Sequence, residues 1–375
     1  MVQIINSEQL DFNDVLIVPQ ATTINHRGEV DIVRKFKNID LTCCPIMNAN
    51  MTQTGTFKVA EKMVKNKMIG AFHKFYTAEE IIKFFAEYAG GNQYFVTVGL
   101  RNKKQEIERL KKLHNYEFSI LIDVPNAYIP DVEAFVKEIR YNFPTKIIAV
   151  GNVCTAERTQ ELIKAGANAI KIGVGPSAVC RTRHTTGVGR PQLSAIMDCA
   201  NAAHQVGGLI IADGGFNTIG DFCKAFVAGA DICMSGCFFA GTDEASGEII
   251  QKVYQTNEII PITCNDGEDE VSALDINDLS KVHSFIDYDI KYEVKKFKEY
   301  YGMSSFRAQQ ENYGEKTKTG TSEGVEYKLV PYTGPIIDTI NNIKGGLRSC
   351  GSYIGAANIK YFSRQGSFYK VNRIQ

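Results

Sequence analysis

The chain holds 375 residues, of which 44% are hydrophobic and 22% charged, and it contains no tryptophan. Its 42 Lys plus Arg balance 42 Asp plus Glu, so the broad positive field that grips nucleic-acid backbones is absent. No run approaches the roughly 18 apolar residues of a membrane span, and the start lacks the basic and apolar segments of a signal peptide. The expectation is a cytoplasmic chain that crosses no membrane and whose 10 cysteines stay free thiols.

From about residue 45 to 240 one pattern repeats. Short apolar, β-branched runs end in small or polar residues, at Pro45–Met51, Met68–His73, Tyr94–Leu100, Phe118–Val124, Lys146–Val153, Ala169–Pro176, Leu209–Gly215 and Asp231–Cys237. Continuous apolar character suits strands of a parallel sheet covered on both faces. Between them lie amphipathic helices: Ile81, Phe84, Phe85 and Tyr88 recur at helical spacing, as do Val132, Phe135, Val136 and Ile139. Starts are 22 to 28 residues apart, except for 40 between the sixth and seventh runs. Eight such units predict a single (β/α)8 barrel rather than an open doubly wound sheet. In a barrel the chemistry belongs to the carboxyl ends of the strands, which here carry Asn48, His73, Asp123, Asn152, Gly175, Asp213 and Ser235.

After Gly247 the pattern lapses. Residues 251–300 carry 6 lysines and 11 acids, and a solvated surface insertion over 251–299 is the expectation. Gly and Thr crowd the following stretch, as in a mobile flap spanning 306–324. Pro335–Gly345 then reads as a late helix closing the barrel.

The sixth run enters Gly173-Val174-Gly175-Pro176-Ser177-Ala178-Val179-Cys180-Arg181-Thr182-Arg183. Glycines let backbone approach a ligand, and a cysteine between such glycines and two arginines sits where positive charge favours a thiolate nucleophile. The other cysteines read as space-fillers, Cys199, Cys223 and Cys233 most plainly. Zinc is a weak alternative, because Cys43-Cys44 and Cys233/Cys237 lack paired C-x2-C spacing. The glycine turns Asp213-Gly214-Gly215 and Ser235-Gly236 end the seventh and eighth runs, where barrels bind phosphate. A phosphorylated substrate follows, with Asp213 either gripping ribose hydroxyls or serving a tight turn.

The stretches GVGPSAVCRTRHTTGVGRPQLSAIMDCANAAH (173–204), IADGGFNTIGDFCKAFVAGADICMSG (211–236), YGMSS (301–305), SEG (322–324) and GGLRS (345–349) resemble the IMP dehydrogenase/GMP reductase family. The resemblance runs from Leu10 to the C-terminus, apart from the insertion, and is closest to the family's reductase branch. Asn50-Met51, Thr54–Phe57, Phe72-His73-Lys74 and the Ser322-Glu323-Gly324 flap match that branch, and there is no room for the regulatory CBS modules usual in the dehydrogenases.

The resemblance implies NADPH-dependent deamination of GMP to IMP and ammonia through a thioimidate on Cys180, with Thr182 and Glu323 delivering the proton that an amine needs to leave. It assigns ribose and phosphate to Asp213, Gly214, Gly215, Ser235 and Gly236, and the purine to Met303, Ser304 and Gly324. It assigns the cofactor to Lys74, Asp123, Val124 and Ser349, and to Arg27 on a segment reaching a neighbouring subunit. Carbonyls of Gly175, Ser177 and Cys180, with Arg183 nearby, match a potassium loop, since oxygen-only ligation suits that ion. A homotetramer is implied as well.

Three departures stand out. Gly320 replaces a reductase arginine, Ser177 and Ser235 replace family glycines, and the insertion is foreign to the outline. The alternatives are IMP dehydrogenase-like oxidation, reduction of a deoxy or modified purine nucleotide, and a catalytically idle binding barrel. Oxidation needs a flap base that activates water, an Arg-Tyr pair in the dehydrogenases, and residues 306–321 contain no adjacent Arg-Tyr.

Overall fold

The computed structural model describes residues 4–177, 179–261, 274–275, 288–314 and 322–371. Eight parallel strands form one sheet: β1 (Ile46–Asn48), β2 (Gly70–Ala71), β3 (Tyr94–Val98), β4 (Ser119–Asp123), β5 (Ile148–Val153), β6 (Ala169–Ile172), β7 (Leu209–Asp213) and β8 (Ile232–Ser235). β8 pairs with β1 through Cys233 and Ile46. The Met47–Ile69 bridge, in which Ile69 N donates to Ile46 O over 2.9 Å, joins β1 to β2 and closes the barrel. Each strand falls inside one of the eight apolar runs.

Helices return the chain between strands. Thr77 starts Ala78–Tyr88 by accepting from Glu80 N while Glu80 reaches back to Thr77 N, a reciprocal cap. Ile81, Phe84 and Phe85 then face inward. The late helix runs Ile336–Tyr353 and buries Ile336, Ile340, Ile343 and Leu347. Apolar packing forms two layers, one between helices and barrel and one inside the barrel, where Met47, Phe95, Leu121, Ala149, Ala169, Ile211 and Met234 meet. Because side chains alternate along a strand, these residues fix which neighbours point into the barrel.

The described ends of the 251–299 segment are strands. Two 13-residue strands, β9 (Ile249–Pro261) and β11 (Tyr288–Tyr300), pair as an antiparallel ribbon flanked by β10 (Leu274–Asp275) and β12 (Lys328–Pro331). Val253 and Val294 on the ribbon are exposed, whereas Lys298 and Tyr300 at its base are buried. Lys298 Nζ donates to Thr242 O and Ala245 O, each at 2.8 Å, which satisfies a charge that burial would otherwise penalise.

At the amino-terminal end of the barrel, Asp231 Oδ2 accepts from Ile210 N at 2.9 Å and lies 2.8 Å from His204 Nε2. Arg34 NH2 is 2.8 Å from the other carboxylate oxygen. The hydrogen bond to Asp231 raises the His204 pKa against opposing burial. The protonated pair therefore stabilises the fold fully below the unfolded histidine pKa and loses that contribution as pH rises through the folded value. With the imidazole 43% exposed, His204→Gln is expected to cost under about 1 kcal/mol in mildly acidic buffer and nothing in alkaline buffer. Denaturant midpoints at the two pH values check this.

Candidate active site

A cleft of about 450 Å³ opens at the carboxyl ends of the strands, a volume typical of small-ligand sites. Its floor follows from strand phase. Asp123, Lys171 and Asp213 share the inward phase of Leu121, Ala169 and Ile211, each two residues nearer the strand end. Lys171 Nζ bridges Asp123 Oδ1 at 2.7 Å and Asp213 Oδ2 at 2.8 Å. Gly151 on the intervening strand makes the room, since a Cβ there would lie 2.3 Å from the Lys171 Cβ. Asn152 Nδ2 adds donations to Asp213 Oδ2 at 2.9 Å and Gly173 O at 2.8 Å.

Burial by itself would favour neutral forms of these groups. For Asp123 that push is outweighed by the Lys171 and Lys74 charges and by hydrogen bonds from Lys171 and Asn50, so its pKa sits below the usual carboxylate value. For Lys171 burial is outweighed by the two carboxylates, which hold the ammonium charged. Asp123 and Lys171 are thereby held charged, with one ammonium bridging two acidic side chains.

Above the floor, the loop after β6 carries Cys180. Its Sγ lies 3.2 Å from Thr182 Oγ1, which donates to Glu323 Oε2 at 2.9 Å. The flap exit is laced onto this loop: Arg181 N donates to Glu323 O, Val325 N to Val179 O, and Cys180 pairs with Gly324. Gly324 is required by contact, because a Cβ there would lie 2.5 Å from Ser305 N. Glu326 accepts from Phe306 N and Arg307 N and fixes the flap helix Phe306–Tyr313, which Ser305 caps. Residues 315–321 of the flap, Gly320 included, lie outside the described residues.

The cleft brings together Cys180, Thr182, Glu323, Asp213, Met303, Ser304, Gly324, Lys74, Asp123, Val124, Gly175 and Ser177. Gly214 and Gly215 adopt φ of 82° and 86°, a turn that favours glycine. Ser235 is buried, and Gly236 packs so closely under Tyr300 that a Cβ would fall 2.1 Å from its hydroxyl. Tyr300, kept neutral by burial, donates to Met51 Sδ at 3.2 Å. Arg183 braces the loop, with NH1 3.5 Å from Asp11 Oδ2 and further bonds to Val174 O and Arg190 O. Arg27 and Ser349 do not reach the cleft; they line a separate surface pocket with Gly220, Cys223 and Gly346.

Lys171, Arg101 and Tyr313 are lining residues that the sequence reading did not single out. Cys199, Cys223 and Cys233 are buried as expected of space-fillers. Burial pushes the Cys44 and Cys199 thiols up to about 12. Among the described residues no group of three or more His, Cys, Asp or Glu converges as a metal site, and no helix is long and apolar enough to cross a membrane.

Comparison with known proteins gives a consistent picture. The family model described as IMP dehydrogenase / GMP reductase domain matches residues 9–259 and 287–374, leaving 260–286 unmatched. A GMP reductase of Vibrio atlanticus (strain LGP32) is 36% identical over 372 residues, 97% of this chain and 95% of that protein. GMP reductase 2 of Homo sapiens is 37% identical over 384 residues, covering 100% of this chain and 97% of its own length. GMP reductase 1 of Mus musculus is 38% identical, covering 97% and 96%.

Proposed function

The chain belongs to the IMP dehydrogenase / GMP reductase family, and from that premise we propose that it is a GMP reductase, converting GMP to IMP and ammonia with NADPH. The observation that carries the reading is the line Cys180–Thr182–Glu323. A carboxylate only accepts, so Thr182 commits its one hydroxyl hydrogen to Glu323 and turns an oxygen lone pair to the Cys180 thiol. As sulfur attacks carbon 2 of the purine, the thiol proton passes through Thr182 to Glu323. The carbon–nitrogen bond then breaks, and the same proton returns along that line to the departing amine, which leaves as ammonia. The nucleotide remains bound to Cys180 as a thioimidate.

Bound NADPH would supply the hydride to carbon 2. The carbon–sulfur bond then breaks, IMP is released, and the sulfur leaves as a thiolate that takes one proton from solvent to restore the starting thiol. Lys74, Asp123 and Val124 would hold this cofactor; a cationic, half-polar wall of the cleft suits it. Arg27 and Ser349, grouped away from the cleft, would serve a neighbouring subunit's cofactor in a homotetramer. Asp213 would hold the ribose, Gly214, Gly215, Ser235 and Gly236 the phosphate, and Met303, Ser304 and Gly324 the purine. The carbonyls of Gly175, Ser177 and Cys180 would hold potassium. Neutral oxygens around the left-handed turn at Gly175 (φ 80°) suit a weakly charged ion better than a divalent one. The chain would act in the cytoplasm.

Absorbance at the reduced-nicotinamide band, with GMP, dGMP and IMP offered in turn, tests the reading. GMP with NADPH is expected to yield IMP and ammonia, and IMP with NAD no appreciable XMP. XMP formation at a rate matching GMP reduction would overturn the direction.

A further inference from the structure

Gln309 lies on the flap helix Phe306–Tyr313 and lines the cleft with Met303, Ser304 and Gly324. The helix has a fixed seat. Phe306 N and Arg307 N donate to Glu326, Arg307 NH2 lies 2.7 Å from Glu299 Oε2 on β11, and Tyr301 donates to Glu311 Oε2 at 2.6 Å. The side-chain amide is oriented as well, because Gln309 Nε2 donates to Ser304 O at 3.4 Å. The reverse orientation would set two carbonyl oxygens together, so the amide oxygen is the end left for another partner. Among the described residues, that Oε1 is buried and receives no hydrogen bond. Asn152 Oδ1 is the other such atom on a cleft-lining residue, and its side chain is bound through Nδ2 to Asp213 on the floor. Both are acceptors.

A buried acceptor left without a donor costs free energy, and a ligand that brings an N–H or O–H removes that cost. Gln309 is tied to Ser304, one of the residues assigned above to the purine, so the donor that meets it belongs to the base rather than to ribose or phosphate. Guanine and hypoxanthine carry N1–H on their pairing edge, and guanine adds the 2-amino group. Adenine presents a bare N1 acceptor there, which would face the amide oxygen and be repelled. We propose that Gln309 is a specificity residue whose Oε1 accepts from the N–H edge of a 6-oxopurine nucleotide. A site built to pair a substrate N–H discriminates strongly against an analogue that lacks it. This rests on the GMP reading above.

The experiment measures equilibrium binding of GMP, IMP, AMP and ribose 5-phosphate to wild type and Gln309→Met by calorimetry, without NADPH. Methionine keeps the length and volume of the side chain and removes the amide. Gln309→Met is expected to weaken GMP binding roughly 10-fold and to narrow the preference for GMP over AMP by a similar factor. Ribose 5-phosphate should stay within a few-fold. A loss for GMP alone assigns the contact to the 2-amino group, and an equal loss for IMP assigns it to N1–H. Unchanged GMP binding overturns the proposal. So does an equal loss for AMP or ribose 5-phosphate, which would mark the amide as a support for the Met303-Ser304 turn. A wild type that binds GMP without GMP-dependent NADPH oxidation would be a failure of the functional reading, and the binding ratios would still decide this one. A wild type that binds GMP no better than AMP overturns the assignment of Gln309.

Discussion

Cys180→Ala is expected to abolish turnover, on the order of 10⁴-fold or more, while GMP binding stays within a few-fold. The sulfur makes the bond that divides the reaction into two steps, so nothing else in the cleft can replace it. Ground-state binding rests on Asp213, the glycine turns and the purine contacts, none of which the substitution touches. Glu323→Gln leaves the nucleophile but removes the carboxylate at the end of the Thr182 line. Its expected loss is smaller, roughly 10²–10⁴-fold, and is concentrated in ammonia release. Single-turnover measurements separate the two cases: trapped covalent nucleotide is absent in Cys180→Ala and slow to form in Glu323→Gln. A Cys180→Ala enzyme turning over near the wild-type rate would sink the covalent route.

The barrel was legible because parallel strands buried on both faces leave uninterrupted apolar runs, and each of the eight runs contains one observed strand. Cys180 and Asp213 stood out because glycines and polar residues close those runs at the strand ends, whereas Thr182 and Glu323 followed only from the resemblance. Lys171 was not, since one lysine inside Ala169–Ile172 breaks an apolar run without announcing a partner. Its signal was phase: two steps from Ala169, it points inward with Asp123 and Asp213, which belong to strands on either side of Gly151. Arg101 and Tyr313 meet only once the flap helix folds onto the loop after β3, a contact between residues over 200 apart in the chain. The ribbon was read as undifferentiated surface because strands solvated on both faces keep no apolar alternation, and Val253 and Val294 are exposed on it.

Lys171→Met should produce the largest effect of any substitution away from the reacting sulfur. Lys171 is 3% exposed and compensates two carboxylates at once. Removing one partner of a buried ion pair costs about 3–5 kcal/mol, a large share of the roughly 5–15 kcal/mol that holds a domain folded. The sign of the pH dependence follows from the charges. In the wild type the Asp123 pKa is depressed, so its contribution to stability is present above the unfolded carboxylate value and lost as pH falls through the folded one. Without Lys171, burial of Asp123 is no longer outweighed, so its pKa rises. The stability deficit of Lys171→Met should therefore be greatest at neutral to alkaline pH and shrink on acidification. kcat/KM for GMP should fall as well, because Asp213 loses the ammonium that holds its carboxylate in place. Adding Asp123→Asn removes one of the orphaned charges and leaves Asp213 with its Asn152 donor. The double variant should regain stability and part of its GMP affinity, yet keep a raised KM for NADPH. A Lys171→Met enzyme with wild-type denaturation, pH profile and Michaelis constants would show that the two carboxylates are held by something other than the lysine between them.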